Sequence, residues 1–219
     1  VSSFLTEQQD KLLEDLEKIL KNDEIIQLSA IMARDDTIKI SIRYTDIVLE
    51  AVNINPTRTG VIDILKLMGG NIQLSNERLD AGELIADIRV RSSKLQGIII
   101  PENLVPLAID EFPALFIAAS CAHGETLLTG AKELRVKESD RIQVMADGLT
   151  LLGINNQVLE DGIRIVGGEF KEQTAPIESH HGHRISMAFA VASVSSASAI
   201  SIKGVDNVKT SFPNFVELA

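Results

Sequence analysis

Over residues 6–21 the apolar positions Leu12, Leu13, Leu16, Ile19 and Leu20 fall three and four apart among Glu, Asp and Lys. That spacing places them on one stripe of a helix. Thr6 with Gln9 offers a capping box at its start. Asn22-Asp23 punctuates its end, and a second helical run follows over 25–32. Residues 1–35 therefore read as a helical hairpin, a packing or oligomerisation segment with nothing arranged for chemistry. The period then changes. Ile38, Ile40 and Ile42 alternate with polar residues, which predicts a half-buried strand, and a junction is expected within 33–46.

From Asp46 a unit recurs. Short β-rich runs lie at Ile47-Val48-Leu49, Thr126-Leu127-Leu128 and Ile200-Ser201-Ile202, with Leu49, Leu128 and Ile202 separated by 79 and then 74 residues. Each run leads through a polar loop to a hydroxyl residue suited to N-capping: Thr57, Ser139 and Ser211. The first two helices close on Gly69-Gly70 and Gly153, residues fit for a left-handed C′ position. Strands at 71–74 and 87–90, and at 155–159 and 162–166, are predicted to follow. Alanine-rich helices over 112–122 and 184–192 precede the second and third runs. The order is β-α-β-α-β-β, which gives an α/β (α+β) fold of stacked copies. The first copy has no recognisable alanine-rich helix before it.

A length of 219 residues allows one large domain or two small ones. The apolar fraction is 45%, aromatics are only 4% and Trp is absent, so the core rests on Ile, Leu, Val and Ala. The net charge of −10 argues against nonspecific nucleic-acid or anionic-membrane binding, which need a basic footprint. It leaves room for a local basic pocket. Cys121 is the one cysteine, which excludes an internal disulfide and a multi-Cys zinc site. No apolar run reaches the ~18 residues of a membrane span and no secretory leader is visible, so a cytoplasmic setting is expected.

Three clusters have residue types suited to chemistry. Arg135-Val136-Lys137-Glu138-Ser139-Asp140-Arg141 precedes a helix. Free N–H groups and the dipole at a helix start favour anions, and Arg and Lys add to that. The alternative is a solvated run that pairs with itself. His180-His181-Gly182-His183-Arg184 opens an apolar helix. It reads as a second anion site with Arg184 as the fork, as a structural loop or, less readily, as metal ligands, because the i, i+4 pair and a following carboxylate are missing. Asp110-Glu111 precedes the helix at Phe112, either as caps or with one carboxylate facing a basic pocket as a general base. Asp110, Glu138 and Arg184 all stand at helix starts of the repeated unit. Aligned helices would gather those starts on one locally positive face, suited to a substrate with several negative charges.

Asn55-Pro56-Thr57-Arg58-Thr59-Gly60, Asp110-Glu111-Phe112-Pro113, Leu134 through Arg141, His183-Arg184 and Ser211-Phe212-Pro213 occur in this order. Together they resemble the C-terminal lobe of the 5-enolpyruvylshikimate-3-phosphate synthase family, over about residues 46–219. The resemblance implies one lobe of an inside-out α/β barrel, built of three β-α-β-α-β-β units. It implies transfer of the enolpyruvyl group from phosphoenolpyruvate to the 5-hydroxyl of shikimate-3-phosphate, by addition and elimination, with no metal and no cofactor. Asp110 matches the carboxylate at the 5-hydroxyl, a candidate base. Glu138 matches the carboxylate that exchanges a proton with the phosphoenolpyruvate methylene, and Lys137 a cation between both substrates. Arg141 and Arg184 match phosphoenolpyruvate-binding arginines, His183 accompanies Arg184, and Glu133 falls where the family touches the shikimate ring.

Some features depart from the family. His181 and Gly182 stand where Gly and Asp are usual, and Lys209 is displaced by one residue from a family lysine. The family's N-terminal lobe, with its Lys-Ser loop, arginine pair and Ser-Ser-Gln phosphate site, does not occur in these residues. The first 34 residues resemble the helical tail of prephenate dehydrogenase, which implies a fusion remnant. The expected partners are therefore both anionic substrates and either a separate N-terminal lobe or a second copy of the chain. A catalytically silent lobe that binds an anion or a partner is the competing expectation.

Overall fold

The computed structural model describes residues 28–32, 38–42, 46–213 and 215. The chain divides into two compact units, Val1–Asp46 and Ile47–Ala219. In the first unit β1 (Leu28–Met32) and β2 (Ile38–Ile42) pair antiparallel, with Leu28 opposite Ile42 and Met32 opposite Ile38. The alternating isoleucines form the expected strand. The helix expected over 25–32 is corrected in its described part: 28–32 is a strand. A five-residue apolar run is too short for its period to separate helix from strand, and pairing with β2 decides it. The helix expected over 6–21 lies outside the described residues.

The second unit contains the repeat. Its most complete copy starts with the segment around Gln96–Ile99, which bridges in parallel to His123 and Leu127 beside β6 (Glu125–Leu128). Between them runs α2 (Phe112–Cys121). After β6 come α3 (Arg141–Leu151), β7 (Asn156–Val158) and β8 (Ile163–Val166), and β8 pairs antiparallel with both β6 and β7. The first copy repeats the later part. Here β3 (Asp46–Asn53), α1 (Gly60–Leu67), β4 (Asn71–Asp80) and β5 (Glu83–Arg91) make a sheet of order β3-β5-β4, the counterpart of β6-β8-β7. The third copy repeats the earlier part, with β9 (Ile177–Glu178), α4 (His183–Ser195), β10 (Ile202–Lys203) and α5 (Asp206–Ser211), β9 and β10 being parallel.

Local chemistry moved all three caps expected in the repeat. Asn55 Oδ1 accepts the Thr57 N–H at 3.0 Å and the Thr57 hydroxyl at 2.8 Å, so Thr57 closes an Asx turn and Thr59 takes the N-cap position of α1. Asp140, rather than Ser139, caps α3, because its carboxylate accepts the Gln143 N–H at 3.0 Å, and a charged acceptor also suits the helix dipole. Ser211 ends a helix. Gly204, at φ +75°, turns the chain after β10, and α5 has already begun at Asp206.

Side chains from all three copies form the main core. Phe112, Phe116, Leu128, Leu134, Ile142, Met145, Leu149, Ile163 and Phe189 are fully buried there. A smaller core of Ile54, Ala86 and Ile88 lies in the first copy. Gly148 in α3 has a packing reason: a Cβ at that position would stand 2.3 Å from the Phe189 ring of α4. The missing side chain lets α3 and α4 approach, and α2 also packs on both. That three-helix contact places the candidate residues.

Candidate active site

Asp110 immediately precedes the turn into α2, Arg141 is the first residue of α3, and Arg184 is the second of α4. Packing of these helices at the same end brings the three together. Arg141 donates to Asp110 Oδ1 at 3.1 Å and to Glu138 Oε2 at 2.8 Å. Arg184 lies 3.3 Å from Asp110 Oδ2 and donates to the Asp110 main-chain carbonyl at 3.2 Å. Glu111 is a more distant partner of Arg184, at 3.9 Å. Two arginines thus share one carboxylate, each with a second acid at hand.

Burial differs sharply among these groups. The Arg141 side chain is only 6% exposed, whereas Asp110 is 42% exposed and Glu138 60%. The cation sits inside and presents its fork outward to the acids. Partial burial alone would push the Asp110 carboxyl up, but the hydrogen bond from Arg141 and the charges of Arg184, Arg141 and Lys137 outweigh it and hold the carboxyl below its ordinary value. Glu138 is also held low, first by its own backbone N–H, then by Arg141 and, more weakly, by His183. Both acids are ionised at neutral pH.

The remaining candidates fall into place less uniformly. Lys137 pairs with Glu133 one helical turn away, so neither bonds directly to Asp110, although the Lys137 charge acts on it. His183 is close enough to Glu138 for its charge to be felt. Arg135, which the sequence reading left without a role, donates to Asp140 and to the Leu159 and Glu160 carbonyls. The charge run therefore pairs within itself and with the acid just before it: Arg135 with Asp140, Arg141 with Glu138, and Lys137 with Glu133. The expectation of a locally positive face is corrected accordingly. The acids that flank the cations by sequence also neutralise them in space. Among the described residues no three His, Cys, Asp or Glu side chains group as metal ligands.

Glu111 stands at the N-cap of α2 without a side-chain cap bond, while Asp110 turns to the arginines. Sequence spacing could not reveal this, because Asp110 and Arg184 are far apart along the chain. A separate polar concavity at Ala51, Asn76, Arg78 and Asp87 lies in the first copy, and none of the candidate residues lines it.

Comparison with known proteins gives a consistent result. A family model described as EPSP synthase (3-phosphoshikimate 1-carboxyvinyltransferase) matches residues 38–218. A 3-phosphoshikimate 1-carboxyvinyltransferase of Ruthia magnifica is 71% identical over 174 residues, and one of Vesicomyosocius okutanii is 70% identical over 174 residues; each match covers 80% of this chain and 40% of the relative. The solved structure of EPSP synthase from Acinetobacter baumannii superposes with a TM-score of 0.74 at 59% identity, covering 80% of this chain and 41% of that one. The chain thus spans about 40% of the length of the curated relatives it matches. With a repeated α/β fold and a family match over most of its length, this chain belongs to the EPSP synthase family.

Proposed function

We propose that this chain supplies one lobe's share of an active site for enolpyruvyl transfer from phosphoenolpyruvate to the 5-hydroxyl of shikimate-3-phosphate. The observation that carries this reading is the meeting of three helix starts at Asp110, Arg141 and Arg184. Arg141 and Arg184 are forked donors at helix N-termini and would hold the carboxylate and phosphate of phosphoenolpyruvate. Glu133 would touch the shikimate ring, Lys137 would lie between the substrates, and His183 would stand beside Arg184.

In this reading Asp110 takes the proton of the 5-hydroxyl while its oxygen attacks C2 of phosphoenolpyruvate. A proton passes from Glu138 to the methylene carbon, giving a tetrahedral adduct. Elimination returns the methyl proton to Glu138 and breaks the bond from C2 to the phosphate oxygen, and phosphate leaves with the proton that Asp110 took. Glu138 must therefore be protonated at the outset, yet its own backbone N–H and then Arg141 hold its carboxyl low in the free chain. An anionic substrate that takes over the Arg141 donors removes the arginine's share of that stabilisation, and the Glu138 carboxyl rises. Substrate binding would thus prepare the acid.

The opposing cations would come from a separate N-terminal lobe. A parallel segment bridges to β6 in the second copy and strand β9 flanks β10 in the third, whereas among the described residues β3 pairs only with β5 and leaves Ile47, Val48 and Leu49 about half exposed. A strand and helix from such a lobe would complete that copy. Without the lobe, about three charge-assisted hydrogen bonds of ~1.5–3 kcal/mol each are lost, or roughly 4–9 kcal/mol of binding. The test is phosphate release from shikimate-3-phosphate and phosphoenolpyruvate. The chain alone should give none. The chain mixed with the preceding portion of the Ruthia magnifica relative should turn over, and Glu138→Ala should abolish that turnover. A folded mixed complex that binds phosphoenolpyruvate but never releases phosphate would favour a silent anion-binding lobe instead.

A further inference from the structure

Arg135 lies within the charge run, yet none of the roles above uses it. Its guanidinium bridges a loop. Nε donates to the Glu160 carbonyl at 2.6 Å, Nη2 donates to the Leu159 carbonyl, and Nη1 donates to Asp140 Oδ2 at 2.6 Å. The other oxygen of the same carboxylate, Asp140 Oδ1, accepts the Gln143 N–H and caps α3. One side chain therefore ties the start of α3 to the turn between β7 and β8. That turn also holds the far end of the loop. Asp161 Oδ2 accepts the Gly130 N–H at 2.9 Å, and the Asp161 carbonyl accepts the Ala131 N–H at 2.7 Å. Between these attachments lie Glu133, Lys137 and Glu138, and the next helix begins with Arg141.

We infer that Arg135 is a positioning residue, which clamps the start of α3 to the β7–β8 turn so that Arg141 reaches Asp110 and Glu138 at once. This rests on the reading of that cluster as the anion site of enolpyruvyl transfer. The chemistry of the clamp is specific to arginine. A planar fork satisfies two carbonyls and a carboxylate in fixed directions, whereas an ammonium group fixes only a point. The contacts it protects are sensitive to small movements. A hydrogen bond near 3 Å is largely lost once its atoms separate beyond about 3.6 Å, so a slight shift of the first turn of α3 detaches Arg141 from one acid or both.

The experiment follows the Asp110 side-chain carboxyl carbon by NMR through an acid titration of the full chain. Groups facing Asp110 are Arg141, Arg184 and Lys137, and all three are retained in every variant. Arg135→Ala should move the Asp110 midpoint upward, toward the ordinary carboxylate value. Arg135→Lys, which keeps the charge and serves if the alanine variant does not fold, should give a smaller upward shift. Met68→Ala, a core truncation in the first copy, should lower thermal stability without moving the Asp110 midpoint. Folded Arg135→Ala and Arg135→Lys chains with an unmoved Asp110 would overturn the inference, as would a Met68→Ala shift of equal size. A parallel titration with phosphoenolpyruvate, run on the chain mixed with the preceding portion of the Ruthia magnifica relative and read at the Arg184 side chain, separates the two readings. Binding should be several-fold weaker in Arg135→Ala. A wild-type mixture indifferent to phosphoenolpyruvate, in a chain whose Asp110 still follows Arg135, would sink the enolpyruvyl reading and leave the clamp standing. Equal binding to wild type and Arg135→Ala with Asp110 unmoved would sink the clamp alone.

Discussion

Arg141 is the buried member of the cluster, and its value depends on keeping acids at both ends of its fork. Removing one partner of a buried pair leaves a charge without compensation, whereas exposed partners are rehydrated at little cost. Arg141→Met should therefore destabilise the chain by about 2 kcal/mol in urea unfolding, below the range for fully buried pairs because Asp110 and Glu138 face water. Asp110 also makes the pairing depend on pH. Its carboxyl is held below the ordinary value, so the unfolded chain binds the proton more readily than the native one. The stability this contributes is fully present above the ordinary carboxylate range and is lost as pH falls through the lowered native value. Asp110→Asn should be less stable than wild type at pH 7, by about 1 kcal/mol or less given its exposure, with the gap closing as pH falls below the ordinary carboxylate range. A gap that widens on acidification would contradict the pairing. A third residue-level effect is strain. His180 and His181 have φ of +50° and +59° just before α4, and the family resemblance places glycine at 181. His181→Gly should raise stability by about 1 kcal/mol, seen as a higher thermal midpoint.

At the scale of elements, the α3 start separates what spacing suggests from what geometry selects. A hydroxyl at Ser139 before a helix is an ordinary N-cap signal. Asp140 does the capping, while the Ser139 hydroxyl is buried without a hydrogen-bond partner among the described residues. Asp140→Ala should cost about 1–2 kcal/mol, from the cap and the Arg135 partner together, while Ser139→Ala should be neutral or slightly stabilising. Paired chemical denaturation curves read the difference directly. The elements themselves were largely legible. The helices over 112–122 and 184–192 and the paired strands of the first two copies appear with ends moved by a few residues, because long apolar periods and glycine stops are local signals. Caps were not legible at one-residue precision, since neighbouring Asp, Ser, Thr and Asn compete for the same N–H groups. The five residues 28–32 were misread as helix for a different reason: their conformation is decided by a partner strand.

For the whole molecule, the division at Asp46/Ile47 and the placement of every described core side chain at Ile54 or beyond lead to a truncation experiment. Residues 46–219 expressed alone should fold, with a thermal midpoint within about 3 °C of the full chain and an unchanged amide spectrum for α2, α3 and α4. Loss of a cooperative transition would show that residues 1–45 are needed for the second unit to fold.

The sequence by itself determined the repeat, its spacing, the apolar faces of its helices and the identity of the candidate residues. Each is carried by residues near one another along the chain, where periods of two and 3.6 and turn residues act directly on the backbone. Only the tertiary structure decided which charges meet. Asp110 and Arg141 are 31 positions apart, and Asp110 and Arg184 are 74 apart. No local pattern encodes those distances. They follow from α2, α3 and α4 packing with their starts together, with Gly148 yielding its side-chain space to Phe189. The same packing turned an expected positive face into a set of paired charges. Composition counts charges, whereas the folded core sets how far apart they stand.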